Sequence, residues 1–203
     1  MVNHYYSEKP NVGHDEKIIK SIFHNREFIF KTDAGVFSKN RVDFGSSLLI
    51  ETFPVPNEAK ILDLGCGYGP IGIIISSQLS KGEVHLVDIN ERAIELAKHN
   101  LITNQHHIGN NIEVYVKQSD GFTKIEERDF NYILLNPPIR AGKKLIHELF
   151  EQSYHHLSDK GELWIVIQKK QGAPSAIKKL EATFSQVDIV EKKKGYFIIK
   201  STK

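Results

Sequence analysis

The stretch Lys60-Ile61-Leu62-Asp63-Leu64-Gly65-Cys66-Gly67-Tyr68-Gly69 limits what this chain can fold into more than any other. A short apolar run rich in Ile and Leu reads as a buried strand, and it ends abruptly in alternating glycines. From Pro70 towards Leu79 the pattern turns helical, with proline in the opening turn. Glycine tolerates positive φ and puts no Cβ between the backbone and a ligand. Strand, glycine turn and helix together form the device by which an open parallel sheet holds a nucleotide-like ligand above its strand ends. The free N–H groups of the helix are then expected to face that ligand.

Two ligand classes suit such a turn. Gly67-Tyr68-Gly69-Pro70-Ile71-Gly72 satisfies G-x-G-x-x-G, and Asp88 closes the next apolar run about twenty residues on, where a ribose-binding acid belongs in a dinucleotide fold. The other register, Asp63-Leu64-Gly65-Cys66-Gly67-Tyr68-Gly69, is a D-x-G-x-G-x-G. A carboxylate at the strand end repels a pyrophosphate and suits a ligand carrying an amino group. In this register the chain resembles the class I S-adenosylmethionine-dependent methyltransferases.

Around this centre strands alternate with helices. Strands are expected at Glu27–Thr32, Lys60–Leu64, Glu83–Ile89, Asn111–Lys117, Phe130–Leu135 and Glu162–Gln168. Helices are expected at 46–53, at 91–104 with Asn90 as N-cap, at 145–157 and at 175–184, and a short one at 15–23. Ile94, Ala97, Leu101 and Ile102 would form the buried stripe of the second, and Leu145, Leu149 and Tyr154 that of the third. Gln186–Val190 and Tyr196–Lys200 read as a closing hairpin around Lys192-Lys193-Lys194-Gly195, a lysine run expected to lie away from any cleft. The fold class is therefore α/β: a Rossmann-like, mostly parallel sheet with helices on both faces, one strand made antiparallel by the C-terminal hairpin. Seven strands are what the resemblance implies. We read residues 1–203 as one domain, with 1–26 a polar extension, 27–58 a lead-in and 59–203 the core.

A second signal, Asn136-Pro137-Pro138, follows the strand Phe130–Leu135. Two prolines cannot continue a ladder, so the chain leaves the sheet rigidly, at the same C-terminal edge as the glycine turn. Ligands bind at that edge. The residue types suit methylation of an exocyclic amine, whose lone pair is delocalised into the ring. Two acceptors aimed at its hydrogens, the Asn136 side-chain oxygen and the Pro137 carbonyl, would pull the nitrogen towards tetrahedral geometry. Positioning of this kind can lower a barrier by on the order of 7–11 kcal/mol, and it requires no general base or metal. In the amino-methyltransferase motif an aromatic residue follows Asn-Pro-Pro; here Ile139 does, so a base would be held by apolar contact or by another ring, Phe37 being one candidate.

Val36-Phe37-Ser38, Asp43-Phe44-Gly45-Ser46, the glycine turn and Asn136-Pro137-Pro138 together resemble the small-methyltransferase-domain family over roughly residues 27–200. That resemblance implies S-adenosylmethionine as cofactor and guanine N2 of small-subunit ribosomal RNA as target, with ribosomal RNA or the small subunit as partner. It implies that Gly65, Cys66 and Gly67 contact the cofactor by their backbone, Asp88 its ribose and Asp120 its adenine amine. Asp63 would lie near the methionine part, and Asp43 to Gly45 would close over the cofactor. Arg140, Lys143 and Lys144 after the catalytic loop, and Lys169 and Lys170 after the fifth strand, are candidates for phosphate contact. Adenine or a protein glutamine is an alternative acceptor; an NAD-dependent oxidoreductase and a non-catalytic RNA-binding protein are the rivals of different class.

The totals exclude other classes. A net charge of +2 and a pI near 8.5 are only mildly basic. Cys66 is the one cysteine, so there is no internal disulfide framework, and it reads as a space-filler in the turn. The histidines show no ligand spacing, and G-x-S-x-G and Walker A sequences are absent. With no membrane-length apolar run and no leader-like start, a soluble cytoplasmic protein of undetermined oligomeric state is the expectation.

Overall fold

A computed structural model, which describes residue 8 and residues 12–203, resolves the pattern into nine strands and five α-helices among the described residues. In chain order they are β1 Lys17–Phe23, β2 Arg26–Thr32, α1 Phe44–Thr52, β3 Glu58–Leu64, α2 Pro70–Ser76, β4 Lys81–Asp88 and α3 Glu91–Asn104, then β5 Ile112–Gln118, β6 Phe130–Leu135, α4 Lys143–His156, β7 Leu157–Gln168, α5 Ala173–Glu181, β8 Gln186–Lys193 and β9 Tyr196–Thr202. Much of the polar opening, residues 1–7 and 9–11, lies outside the described residues.

The main sheet has seven strands in the order β5-β4-β3-β6-β7-β9-β8. Strand β9 runs antiparallel to both β7 and β8, and every other pair is parallel. Chain order reverses at β3, which has β4 on one side and β6 on the other. The ligand-holding crevice of a doubly wound sheet opens above such a switch point. One apolar layer gathers α1, α2, α3 and the β1–β2 hairpin around Ile61, Ile74, Leu86 and Trp164. The opposite layer gathers α4 and α5 around Leu62, Ile133, Phe150 and Ile165. Consecutive strand residues divide between the layers, as the period-2 alternation of side chains requires.

Three expectations need correction. Residues 17–23 form a strand, not a helix. Ile18, Ile19, Ile22 and Phe23 fit a helical stripe and a strand equally well; in the strand Ile19 and Phe23 are buried while Ile18 and Ile22 are exposed. His24 and Asn25 both take positive φ (48° and 60°), the backbone of a two-residue hairpin turn. Ile102 lies outside the stripe of α3, being 66% exposed. Finally, Lys192 to Lys194 sit at the ligand edge of the sheet, because reversal of β9 pairs Tyr196 with Gln168, the C-terminal end of β7.

The β1–β2 hairpin is held by amide side chains. Asn104 and Asn100, one turn apart on α3, accept from Ile29 N (3.0 Å) and Lys31 N (2.7 Å) and donate back to the same residues' carbonyls (2.8 and 2.9 Å). Two asparagines thus act as a substitute neighbouring strand for the open edge of β2. Asn104→Ala leaves two backbone groups of Ile29 without partners, and should cost about 1–3 kcal/mol in urea denaturation. An unchanged midpoint would remove this account of how the hairpin is anchored.

Candidate active site

Strand β3 delivers the glycine turn, and β4 shapes it. The carbonyl of Val87 accepts from both Gly65 N (2.8 Å) and Cys66 N (2.9 Å), and Asp88 Oδ2 accepts from Gly67 N (2.8 Å). Gly65 and Gly67 take φ of 72° and 57°, and a Cβ built on either would meet nothing within 4 Å. Above them lies a cavity walled by Leu64, Val87, Ile89, Ala93, Leu135 and Leu149. Its polar groups are those of Asp88, Asn90, Ser119, Asp120 and Asn136. Gly72 serves packing instead. A Cβ there would lie 2.6 Å from Leu86 Cγ, so its absence lets α2 press against β4.

The helix does not offer the turn a free row of amides. Pro70 has none, and Gly72 N donates to Asp63 Oδ2 at 2.8 Å. The expected row of helix amides is therefore broken at two of its first three positions, which suits a dinucleotide's pyrophosphate poorly. The cavity offers apolar walls and carboxylates instead.

Of the residues expected at the cofactor, Gly65, Gly67, Asp88, Asp120 and Asn136 line this cavity. Asp63 and Cys66 do not. Asp63 is 1% exposed beneath the turn, and its Oδ1 has no hydrogen-bond partner among the described residues. Burial pushes its carboxyl up to about 7, against the pull of the Gly72 N–H, and the charge of Asp88 adds to the rise. Cys66 is packed in the apolar layer, where burial raises its thiol well above the usual range; it fills space. Burial likewise raises Asp88, against its bonds from Asn90 N and Gly67 N. Asn90, whose side chain accepts from Ala93 N, is the N-cap of α3, so Asp88 is not needed as one.

A second cavity, lined by Pro137, Ile139, Arg140, Gln168 and Tyr196 among others, adjoins the first. Val36, Phe37 and Asn136 line both. At that junction Asn136 Nδ2 lies 3.0 Å from Ser46 Oγ and 3.5 Å from each carboxylate oxygen of Asp43. A carboxylate only accepts, so the amide nitrogen must face Asp43, and Oδ1 points away from that pair. Asp43 also caps α1, accepting from Gly45 N and Ser46 N. It lines the second cavity and not the first, where it was expected. Pro138 lines the first cavity and Pro137 the second. The loop carrying Val36 and Phe37 is tied down by Asn90 Nδ2 to Gly35 O (2.9 Å), Arg92 to Ala34 O (2.6 Å) and Tyr68 OH to Arg41 O (3.3 Å).

Lys143, Lys144, Lys169 and Lys170 are exposed at the same edge without lining either cavity. Lys144 pairs loosely with Glu148 (3.8 Å). Tyr196 carries no local signal of a place in the site; only the pairing of β9 with β7 brings it in, beside Gln168 at the end of β7, while Ser46 comes in with the Asp43–Ser46 motif at the start of α1. His14, Glu16 and Asp33 cluster elsewhere, but Asp33 already accepts from Asp15 N, Ala34 N and His14.

The reversed strand of the seven-stranded sheet and the cavity above its switch point give the Rossmann-like architecture that the resemblance to class I methyltransferases implied. Residues 27–200 match the family model described as methyltransferase small domain. The chain belongs to that family. An uncharacterized protein of Bacillus subtilis (strain 168), YbxB, is 53% identical over 205 residues and is matched along its whole length. Ribosomal RNA small subunit methyltransferase C of Hamiltonella defensa is 35% identical over 176 residues, covering 85% of this chain and 49% of that protein. The chain thus spans about half the length of the ribosomal RNA methyltransferases it matches. Among solved structures, a T. thermophilus 16S rRNA N2 methyltransferase (RsmC), in complex with AdoMet and guanosine, shares the fold with a TM-score of 0.80. It is 22% identical over 93% of this chain and 50% of that one. No helix among the described residues is long and apolar enough to cross a membrane.

Asp63 yields a pH prediction. Its folded-state value of about 7 lies above the usual carboxylate range, so it contributes stability at low pH that is lost as pH rises through about 7. Between pH 5 and 8 the melting temperature of the parent should fall by more than that of Asp63→Asn. Parallel melting curves for the two proteins across that interval would contradict the assignment.

Proposed function

We propose that this chain transfers the methyl group of S-adenosylmethionine to an exocyclic amine of a nucleobase, with guanine N2 of small-subunit ribosomal RNA as the favoured acceptor. The observation that carries the reading is the position of Asn136, on the boundary of two adjoining cavities, with its amide nitrogen turned towards Ser46 and Asp43. The names of the half-length-matched relatives support the choice of acceptor.

The first cavity suits the cofactor. The open space above Gly65 and Gly67 admits a ligand against bare backbone, and the apolar walls suit an adenine ring. Each oxygen of Asp88 takes one backbone N–H and retains acceptor capacity for a ribose hydroxyl. Asp120 at the rim would take the adenine amine. Asp63 lies beneath the turn with one oxygen unpartnered, and a cationic ligand above it would favour its ionised form against the effect of burial. When bound, S-adenosylmethionine supplies an electrophilic methyl on a sulfonium.

The chain's own residues then act on the acceptor. Asn136 Oδ1 and the Pro137 carbonyl accept the two hydrogens of the amine and direct its lone pair towards the first cavity. Asp43 and Ser46 fix the amide's orientation, so the acceptor oxygen is set before substrate arrives. Pro138 stiffens the loop between the two ligands. Such alignment, not proton abstraction, is where the rate enhancement arises.

Incubation with unmodified small-subunit ribosomal RNA and tritiated S-adenosylmethionine should place label on a guanine amine; no incorporation would refute the reading. Asn136→Ala should leave cofactor affinity near that of the parent while turnover collapses, the pattern of an interaction used mainly in the transition state. Asp88→Ala should weaken cofactor binding by roughly 1–3 kcal/mol in calorimetry, and undiminished affinity would remove Asp88 from the ribose.

A further inference from the structure

Ile139 leaves the second cavity without the ring that the loop motif would place there. We propose that Tyr196 supplies that ring, and that the tip of the β8–β9 hairpin holds the acceptor strand. The inference rests on the nucleobase reading above and names the element that grips the base and its flanking phosphates.

Reversal of β9 brings the hairpin tip to the ligand edge, and a backbone bond from Lys169 N to Gly195 O (2.9 Å) ties it to the end of β7. Alternation along β9 sends Tyr196 and Ile198 to the α1 side and Phe197 and Ile199 to the α4 and α5 side. Tyr196 therefore stands beside the start of α1 and lines the second cavity along with Pro137, Ile139 and Gln168. Its ring packs on Phe44 at 5.3 Å between centroids, tilted by 56°. Gly45 makes room for it: a Cβ there would lie 3.1 Å from the tyrosine Cε1. The ring is thus braced on one side by Phe44 and Gly45 while it borders the cavity in which Asn136 presents its amide. An aromatic face so placed stacks with any base and adds little sequence preference.

The charges around the ring have the sign that nucleic acid requires. Lys193 and Lys194 are exposed at the hairpin tip, and Lys169 and Lys170 are exposed on the turn to which the tip is bonded. Lys194 Nζ lies 5.1 Å from the Phe44 ring centroid, which keeps that charge beside the mouth of the cavity. An extruded base entering between Tyr196 and Pro137 would leave its flanking phosphates near this group of lysines.

The test uses the whole chain, tritiated S-adenosylmethionine and an unmodified small-subunit ribosomal RNA transcript, with S-adenosylhomocysteine affinity measured in parallel. Tyr196→Leu, which keeps apolar packing on Phe44, should raise KM for RNA about tenfold and leave S-adenosylhomocysteine affinity unchanged. Tyr196→Phe should restore the parent KM to within about twofold, since the face of the ring is retained. Lys193→Gln with Lys194→Gln should reduce the slope of log KM against log salt by roughly 1 to 2, and being on the surface it tests the proposal even if Tyr196→Leu fails to fold. A parent-like KM in Tyr196→Leu, a Tyr196→Phe variant as impaired as Tyr196→Leu, or an unaltered salt slope would overturn the proposal while the methyltransferase reading stands. A parent inert on RNA would overturn both.

Discussion

The site depends on three hydrogen bonds that run from one strand to the next. Val87 O accepts from Gly65 N and Cys66 N, and Asp88 Oδ2 accepts from Gly67 N. They pull the glycine turn over the end of β4, which keeps Gly65 and Gly67 at positive φ and leaves bare backbone facing the cavity. Because the turn's amides are engaged by β4, and Gly72 N by Asp63, few remain to bind phosphate. What the cavity offers is apolar wall and carboxylate. That balance separates this glycine-rich turn from a dinucleotide site more clearly than the spacing of its glycines does.

Asp43 links the helix α1 to the Asn136-Pro137-Pro138 loop. Its carboxylate caps α1 through Gly45 N and Ser46 N, and it also faces the Asn136 amide nitrogen. An amide can flip at little cost in isolation, and a neighbouring carboxylate removes that freedom because it cannot donate. The amide oxygen is then held turned away from Asp43, the orientation that the proposed role of Asn136 requires. One side chain both helps to start a helix and orients the amide beside it.

The β1–β2 hairpin and the loop after it serve the same end from the other direction. Asn100 binds Lys31 on β2 and also donates to Tyr68 O in the glycine turn (2.9 Å). Tyr68 OH in turn reaches Ser38 O and Arg41 O in the loop that carries Phe37. The loop bordering both cavities is therefore tied to the turn that floors the first of them, so the two cavities keep a constant relation to each other.

Much of this was legible from the chain alone. D-x-G-x-G-x-G, the acid ending β4 and Asn136-Pro137-Pro138 are local patterns, and parallel strands bring their ends to one edge, so those residues had to converge. The strand–helix alternation followed from apolar periodicity, with α3 and β6 matched to the residue. The failures share a cause. Residues 17–23 satisfy both helical and strand periodicity, and only the amides of Asn100 and Asn104 on α3, with the turn at His24 and Asn25, select the strand. The lysine run and Tyr196 belong to the ligand edge because β9 is reversed. The hairpin, and so one reversed strand, was expected; that β9 and not β8 lies beside β7 is a contact between residues distant in sequence that leaves no local mark. Sequence by itself determined which strand ends and glycines gather at the first cavity; tertiary structure decided which side chains line the second, since that cavity is assembled from elements that touch only after the sheet has closed its order.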